Sequence, residues 1–372
     1  MPFAAALSEH PVPALATGEV IGQVVDAVGE APDVAALFLT APFLGAVEDM
    51  TATVRALLKP RVLIGATAVS VLGGPLEAEE GPAVSLWAGR LPSRPVRAVR
   101  LDDAAGPLPA GSPTDGTLVL VADPFSFDVA ALLGRLAETA PDLAVVGGMA
   151  SAARGPGGNR LVLDDQVHRD GAVGFLLDGP GPVSTVVSQG CRPVGRPFTV
   201  TRAEQNILYE LGGQPAYERL QQLVEAVDPN ERRLLARGVH LGVVVDEHRT
   251  DFQRGDFVIR NLLGADREVG ALAAGDVVPV GTTVQFQVRD ASTADEDLDA
   301  LLTTAPRAAG ALLFTCNGRG SHLFDVAHHD AAAVADRVER GAVAGMFCAG
   351  ELGPIGGANF VHGFTASIAL FE

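Results

Sequence analysis

An apolar run, a helical pattern, a second apolar run, a glycine pair and a closing apolar run follow one another in the same order three times along the chain. Recurrence of that kind limits the fold more than any single motif, because each copy needs its neighbours to bury its faces. In the first copy the runs are residues 34–40, 62–67 and 83–88. Val47, Met50, Val54 and Leu58 fall at helical steps between the first two, and Gly73-Gly74 precedes the last. The second copy has runs at 117–122, 143–146 and 171–176, with Val129, Leu132, Leu133 and Leu136 on one helical face. Ser126 is the expected N-cap of that helix, and Gly147-Gly148 is the pair. The third copy occupies 310–315, 343–347 and 364–371, with Asp330 expected to cap a helix through Val334 and Val338, and with Gly356-Gly357. The repeated glycine pair favours a true repeat over a chance likeness of three common units.

Strands apolar on both faces belong in sheets covered by helices, and a helical crossover makes the first two strands of each copy parallel. The expected fold class is therefore α/β: layered, with mixed sheets built from βαβ-type units and flanking helices, in two domains with diverged internal repeats.

The region between the second and third copies reads differently. Ile207, Leu208 and Leu211 suggest a helix over 204–211, stopped by Gly212-Gly213, and a second helix is expected over 216–227. Strands are expected at 240–245 and 257–262. Residues 283–289 alternate strictly, which predicts a strand with one buried and one wet face. Residues 91–116 and 154–159, rich in Pro, Gly and Asp or Asn, are expected to be flexible. The domain boundary is placed near Gly190, giving a lead-in (1–30), an N-terminal domain (31–188) and a C-terminal domain (189–372).

Charge and composition exclude several function classes. With 27 basic against 45 acidic residues and a net charge of -18, the chain is repelled by phosphate backbones and anionic lipid. Neither nucleic acid nor a membrane is an expected partner. Apolar runs are interrupted well short of the roughly 20 residues that a bilayer span needs. Residues 1–7 lack the basic segment of a secretory signal, so a cytoplasmic location is expected. Cys191, Cys316 and Cys348 form no CxxC pair, which disfavours a disulfide framework or a structural zinc site. No phosphate-binding GxxxxGK[ST] run is present, nor a GxGxxG between a strand and a helix, and no cofactor is expected. The side chains of His328-His329-Asp330 would diverge at a helix start, so a surface turn is the expectation there.

Several ordered motifs lie in the C-terminal half. Gly190-Cys191-Arg192-Pro193-Val194-Gly195 precedes Glu210-Leu211-Gly212-Gly213-Gln214-Pro215, and Asp256-Phe257-Val258-Ile259-Arg260-Asn261-Leu262 precedes Val284-Gln285-Phe286-Gln287-Val288-Arg289. Phe314-Thr315-Cys316-Asn317-Gly318-Arg319-Gly320, Phe347-Cys348-Ala349-Gly350-Glu351-Leu352-Gly353 and Asn359-Phe360-Val361-His362-Gly363 close the set. These resemble the FIST C domain, and residues 31–188 are similar to the FIST N domain through strand order and glycine pairs. The family name abbreviates F-box and intracellular signal transduction. The resemblance implies a sensory module that binds small molecules such as amino acids, standing alone or beside signalling domains in bacteria. No F-box, kinase, cyclase or receiver signature is found here, so a separate signalling protein is the expected partner.

Cys316-Asn317-Gly318-Arg319-Gly320 follows a buried strand directly, where α/β sheets place functional loops. Its glycines allow backbone amides to approach a ligand, and Arg319 can grip a carboxylate. Glu351, beyond the next strand, can meet an ammonium group; alternatively Arg319 and Glu351 pair with each other. The candidate ligand-binding residues are Arg192, Arg260, Asn261, Cys316, Asn317, Arg319, Gly320, Glu351, Asn359 and His362. Taken singly, Arg192, Arg260, Asn261, Asn359 and His362 also suit structural roles. A cysteine hydrolase or transferase is the second reading, with Cys316 or Cys348 as nucleophile, His322 or His362 as base, and Glu351 or Asp325 orienting it. Both cysteines lie in apolar runs, which suits inert packing instead. A protein-interaction scaffold is the third reading, and it would expose an apolar patch.

Overall fold

A computed structural model describes residues 2–91, 94–179, 181, 183–249 and 251–372. Met1, at the head of the lead-in, and Pro92 and Ser93, in the expected flexible stretch, lie outside the described residues. Two compact units form: residues 2–187, 298–361 and 365–372 make the first, and Ser188–Asp297 with His362–Phe364 the second. The segment Leu298–Val361 thus folds into the same unit as the N-terminal half of the chain.

The first unit contains three six-stranded mixed sheets, one centred on each copy of the repeat. Val34–Thr40 runs parallel to Val62–Ala68, and Val84–Gly89 returns antiparallel on its other side. Asp115–Ala122, Asp142–Met149 and Ala172–Asp178 repeat that order, as do Gly310–Cys316, Val343–Cys348 and Thr365–Phe371. Helices Val47–Leu57, Val129–Thr139 and His329–Ala335 make the three crossovers. Each closing strand carries one more strand on its outer edge: Phe3–Ser8, Val96–Leu101 and Val183–Gln189 respectively. The lead-in therefore supplies a sheet strand and the helix Pro13–Val28, and the expected flexible stretch contains the strand Val96–Leu101.

Between its second and closing strands every copy makes a short hairpin, and none of the three stays on its own sheet. Val71–Gly73 with Leu76–Ala78 joins Val343–Cys348 of the third copy. Leu161–Leu163 with Gln166–His168 joins Val62–Ala68 of the first. Glu351–Ile355 with Ala358–His362 joins Asp142–Met149 of the second. The exchange is cyclic, so the copies are related by a pseudo-threefold arrangement that no copy completes alone.

Two of the glycine pairs turn these hairpins, with left-handed φ at Gly74, Gly356 and Gly357. Gly147-Gly148 differs: it lies inside the strand Asp142–Met149, where a Cβ on Gly147 would meet the Leu120 carbonyl oxygen at 1.9 Å. The corresponding turn in the second copy uses Asp164, at φ 54°. The repeat therefore stands on topology, and the glycine pairs are not equivalent.

The inner faces of the three sheets share one core. Phe38, Val119 and Phe314 come from equivalent strands, and the Phe38 and Phe314 rings meet edge to face at 6.1 Å. Trp87 packs on Phe3 and Phe371 at 5.2 and 4.9 Å, and its indole N–H donates to the Ala342 carbonyl. Val20, Val24, Val47 and Val54 cover the outer face of the first sheet, and Leu132, Leu133 and Leu136 that of the second. The second copy's helix is capped by Asp128, which accepts from the Ala131 N–H, and not by Ser126. Ser126 donates instead to Asp123 and accepts from the Gly171 amide.

In the second unit the antiparallel strands Phe198–Glu204, Ile207–Leu211, Ala271–Ala274, Phe257–Asp266, Val239–Val244 and Thr283–Arg289 pair in succession, and the last pairs back to the first. The sheet closes on itself around Val200, Leu211, Leu241, Leu272, Val284 and Phe286. The expected helix over 204–211 is thus the turn and second strand of a strand pair, whereas the helix expected over 216–227 is present as Ala216–Ala226. Thr283–Arg289 has both faces covered, Gln285 and Gln287 being buried, in contrast to the wet face its alternation predicts. Among the described residues, no helix is long and apolar enough to cross a membrane.

Candidate functional site

In the third copy two parallel strands end side by side on Cys316 and Cys348, and the loops that follow them hold a buried polar cluster. Arg319, three residues past its strand, is completely enclosed, and so is Asp330 at the start of the crossover helix. Arg319 Nε donates to Asp330 Oδ2 at 2.7 Å and Nη2 to Oδ1 at 2.8 Å. Thr315 Oγ1 donates to the same carboxylate at 2.6 Å, and His329 Nδ1 lies 2.9 Å from it. Burial alone would push the Asp330 carboxyl up, but the Arg319 charge and these hydrogen bonds outweigh it and hold its pKa well below the ordinary range. Asp330 is therefore no helix cap, and Arg319 pairs with it and not with Glu351. Phe324 lies under the guanidinium at 5.2 Å and stacks on His329.

The hairpin that the first copy exchanges seals this loop. Glu77 Oε1 accepts from the Ala331 amide, and its own N–H donates to His328 Nδ1. Glu79 accepts from the backbone and hydroxyl of Ser321. Burial and the neighbouring Asp330 charge raise the Glu77 pKa to about 7. Gly320, at φ 57°, has to be glycine, since a Cβ would press on the Phe347 ring and the Glu79 carboxyl.

Glu351 begins the hairpin exchanged onto the second copy and lies opposite Gly148. It too is fully buried, with Oε2 accepting from the Thr365 amide at 3.1 Å and hydroxyl at 2.8 Å. The neighbouring Cys316 thiol and the Arg319 charge, like the two bonds from Thr365, act to lower the pKa of its carboxyl. Burial dominates these and raises the Glu351 pKa to about 8. Cys348 Sγ fills the space that a Gly148 side chain would need, and donates to the Met346 carbonyl. Four buried polar atoms here have no hydrogen-bond partner among the described residues: Arg319 Nη1, Asn317 Oδ1, Glu351 Oε1 and, on the sealing hairpin, Glu77 Oε2.

Five of the ten candidate residues, Cys316, Asn317, Arg319, Gly320 and Glu351, thus belong to one neighbourhood of the first unit. Asn359, in the same unit, spans Val145 N–H and Leu143 C=O and so serves as a strand clip. In the second unit Arg192 is held by Asp290 and Glu231, and Arg260 by Asp276. Asn261 is exposed opposite His240, and His362 is buried. His322 and Asp325, weighed as partners of a nucleophilic cysteine, are exposed. Sequence reasoning gave Glu77, Gly148 and Thr365 no place in the site. The exchange of hairpins brings the first of these to the site, and nothing near it in the chain announces that.

Domain profiles match both halves of the chain, FIST N over residues 33–214 and FIST C over residues 216–354. The chain belongs to the FIST family. FIST domains are signal-transduction sensory domains. An uncharacterized protein of Mycobacterium bovis is 43% identical to this FIST protein over 364 residues, 95% of this chain and 94% of its own. An uncharacterized protein of Mycobacterium tuberculosis is 44% identical over 335 residues, 87% of each chain. In this FIST protein the profile boundary falls between residues 214 and 216, inside the second compact unit.

Proposed function

We propose that the cluster around Arg319, Asn317 and Glu351 holds a small polar metabolite of the amino-acid class, and that the protein acts as a sensor whose output passes to a separate signalling protein. The observation behind this reading is three of these unpartnered buried atoms: one donor, Arg319 Nη1, and two acceptors, Asn317 Oδ1 and Glu351 Oε1. Each unmet buried group costs about 1–3 kcal/mol, so a molecule that satisfies all three is favoured. A ligand carboxylate suits the donor, and a ligand ammonium suits the two acceptors. The ammonium would also draw Glu351 toward its ionised form, against the burial that keeps it protonated.

The test is a thermal-shift series with α-amino acids, amines without a carboxylate, and carboxylates without an amine. Amino acids are expected to raise the melting temperature in a dose-dependent way, with Asn317→Ala and Glu351→Gln weakening the effect. No response to any amino acid, or a response unchanged in both variants, would overturn the assignment. The partly exposed Cys316, whose sulfur accepts from the Gly318 N–H, also suits a cysteine nucleophile. Ester or amide turnover that Cys316→Ala abolishes would replace the sensor reading with an enzymatic one.

A further inference from the structure

Cys316 and Cys348 are the last residues of adjacent parallel strands, and the ladder sets them directly opposite each other. Register partners on neighbouring strands have Cα atoms about 5 Å apart. A disulfide spans Cα separations of about 4.4–6.8 Å. Glu351 lies opposite Gly148, the residue against which the Cys348 sulfur packs, so a carboxyl borders the pair. Their surroundings differ. Cys316 is partly exposed, and the Gly318 N–H points at its sulfur at 3.4 Å. Cys348 is sealed against Gly148.

We propose that Cys316 and Cys348 are a hydroperoxide-responsive pair, Cys316 being oxidised first and Cys348 resolving it to a disulfide. In the first step the Cys316 sulfur attacks the peroxide O–O bond. The thiol proton goes to the departing oxygen, leaving a sulfenic acid and an alcohol, or water when the oxidant is hydrogen peroxide. In the second, the Cys348 sulfur attacks the Cys316 sulfur, its proton leaves with the hydroxyl as water, and the S–S bond forms. The two sulfurs lose two electrons together, and the peroxide gains them. Burial pushes the Cys348 thiol well above its ordinary pKa, which keeps it inert toward peroxide on its own and fixes the order of events. Side chains in a parallel ladder stand about 5 Å apart, whereas the Cβ atoms of a disulfide are about 3.8 Å apart. Closure must therefore draw the strand ends together, and a bond under that strain is readily reduced, as a reversible response requires. The inference stands independently of any ligand, because its readout is the thiols themselves.

The folded full-length chain is treated with a small excess of hydrogen peroxide or cumene hydroperoxide, then unfolded, and its free thiols are counted. Three free cysteines should fall to one, Cys191, with a peptide map joining the Cys316 and Cys348 segments and with dithiothreitol restoring all three. In Cys348→Ala, sulfenic acid should accumulate on Cys316 and be trapped by dimedone. Three thiols surviving, a bridge that uses Cys191, or sulfenic acid persisting on Cys316 in the unaltered chain would each overturn the proposal. The thiol count on the unaltered chain decides the matter even if the variant folds poorly.

Discussion

Arg319 and Asp330 form a two-pronged ion pair, 2.7 and 2.8 Å long, with neither side chain reaching solvent. Removing one member leaves an uncompensated buried charge, which costs about 3–5 kcal/mol. Asp330→Asn and Arg319→Met should each lower the unfolding free energy by that order in urea titrations. Replacing both with apolar residues should recover a large part of the loss. Equal losses in the single and double variants would show that the pair acts through packing alone.

The same carboxylate sets the acid limit. Its folded pKa lies below its ordinary value of 3.8. The folded state therefore binds fewer protons than the unfolded chain in that range, and stability falls as pH falls. The contribution is complete above 3.8 and disappears as pH drops through the folded value. Unfolding followed from pH 5 to pH 2 should show a steep loss that is absent from Asp330→Asn.

Glu351 behaves in the opposite sense. Its pKa rises from 4.5 to about 8, so between those values the folded state keeps a proton that the unfolded chain has given up. Stability should decline with rising pH across that window, by an amount on the order of a few kcal/mol. Glu77, raised to about 7, adds in the same direction. Glu351→Gln, neutral at every pH, should flatten the alkaline limb in unfolding titrations at pH 5, 7 and 9. A profile as steep as that of the unaltered chain would place the burial penalty elsewhere.

Gly148 tests how tightly the strand ends are packed. A Cβ there would sit 2.3 Å from Cys348 Sγ and 3.1 Å from its Cβ. Gly148→Ala should therefore destabilise by about 1–3 kcal/mol. Adding Cys348→Ala removes the sulfur but not the Cβ, so the double variant should regain only part of that loss. A full double-mutant cycle on thermal unfolding measures the coupling.

The parallel cores of the three copies were legible because strands covered on both faces need unbroken apolar runs, such as Val34–Thr40 and Gly310–Cys316. The exchanged hairpins were not, because strands of three residues, like Val71–Gly73, show no measurable period. Half of the residues named as candidates fall together for a related reason. Cys316 to Gly320 and Glu351 adjoin long strands, whereas Glu77 meets Ala331 across 254 positions through one such hairpin. Residues 204–211 misled for a different reason. Register shifts between Val200 and Ala203 interrupt the alternation of that strand pair, so Ile207, Leu208 and Leu211 mimic helical spacing.

Cyclic exchange also has a thermodynamic consequence. Each hairpin is an edge of another copy's sheet, so opening one copy strips strands from a second and uncovers the core of a third. Local unfolding of a single copy should then cost nearly as much as unfolding the whole first unit. Native-state hydrogen exchange should give Val71–Gly73, Leu161–Leu163 and Glu351–Ile355 similar opening free energies, close to those of the long central strands. Trp87, the only tryptophan, is buried between Phe3 of the lead-in strand and Phe371 of the third copy. Its fluorescence should change in the same transition as these amides. If one hairpin exchanged far earlier than the other two, the copies would be independent modules and the exchange merely decorative.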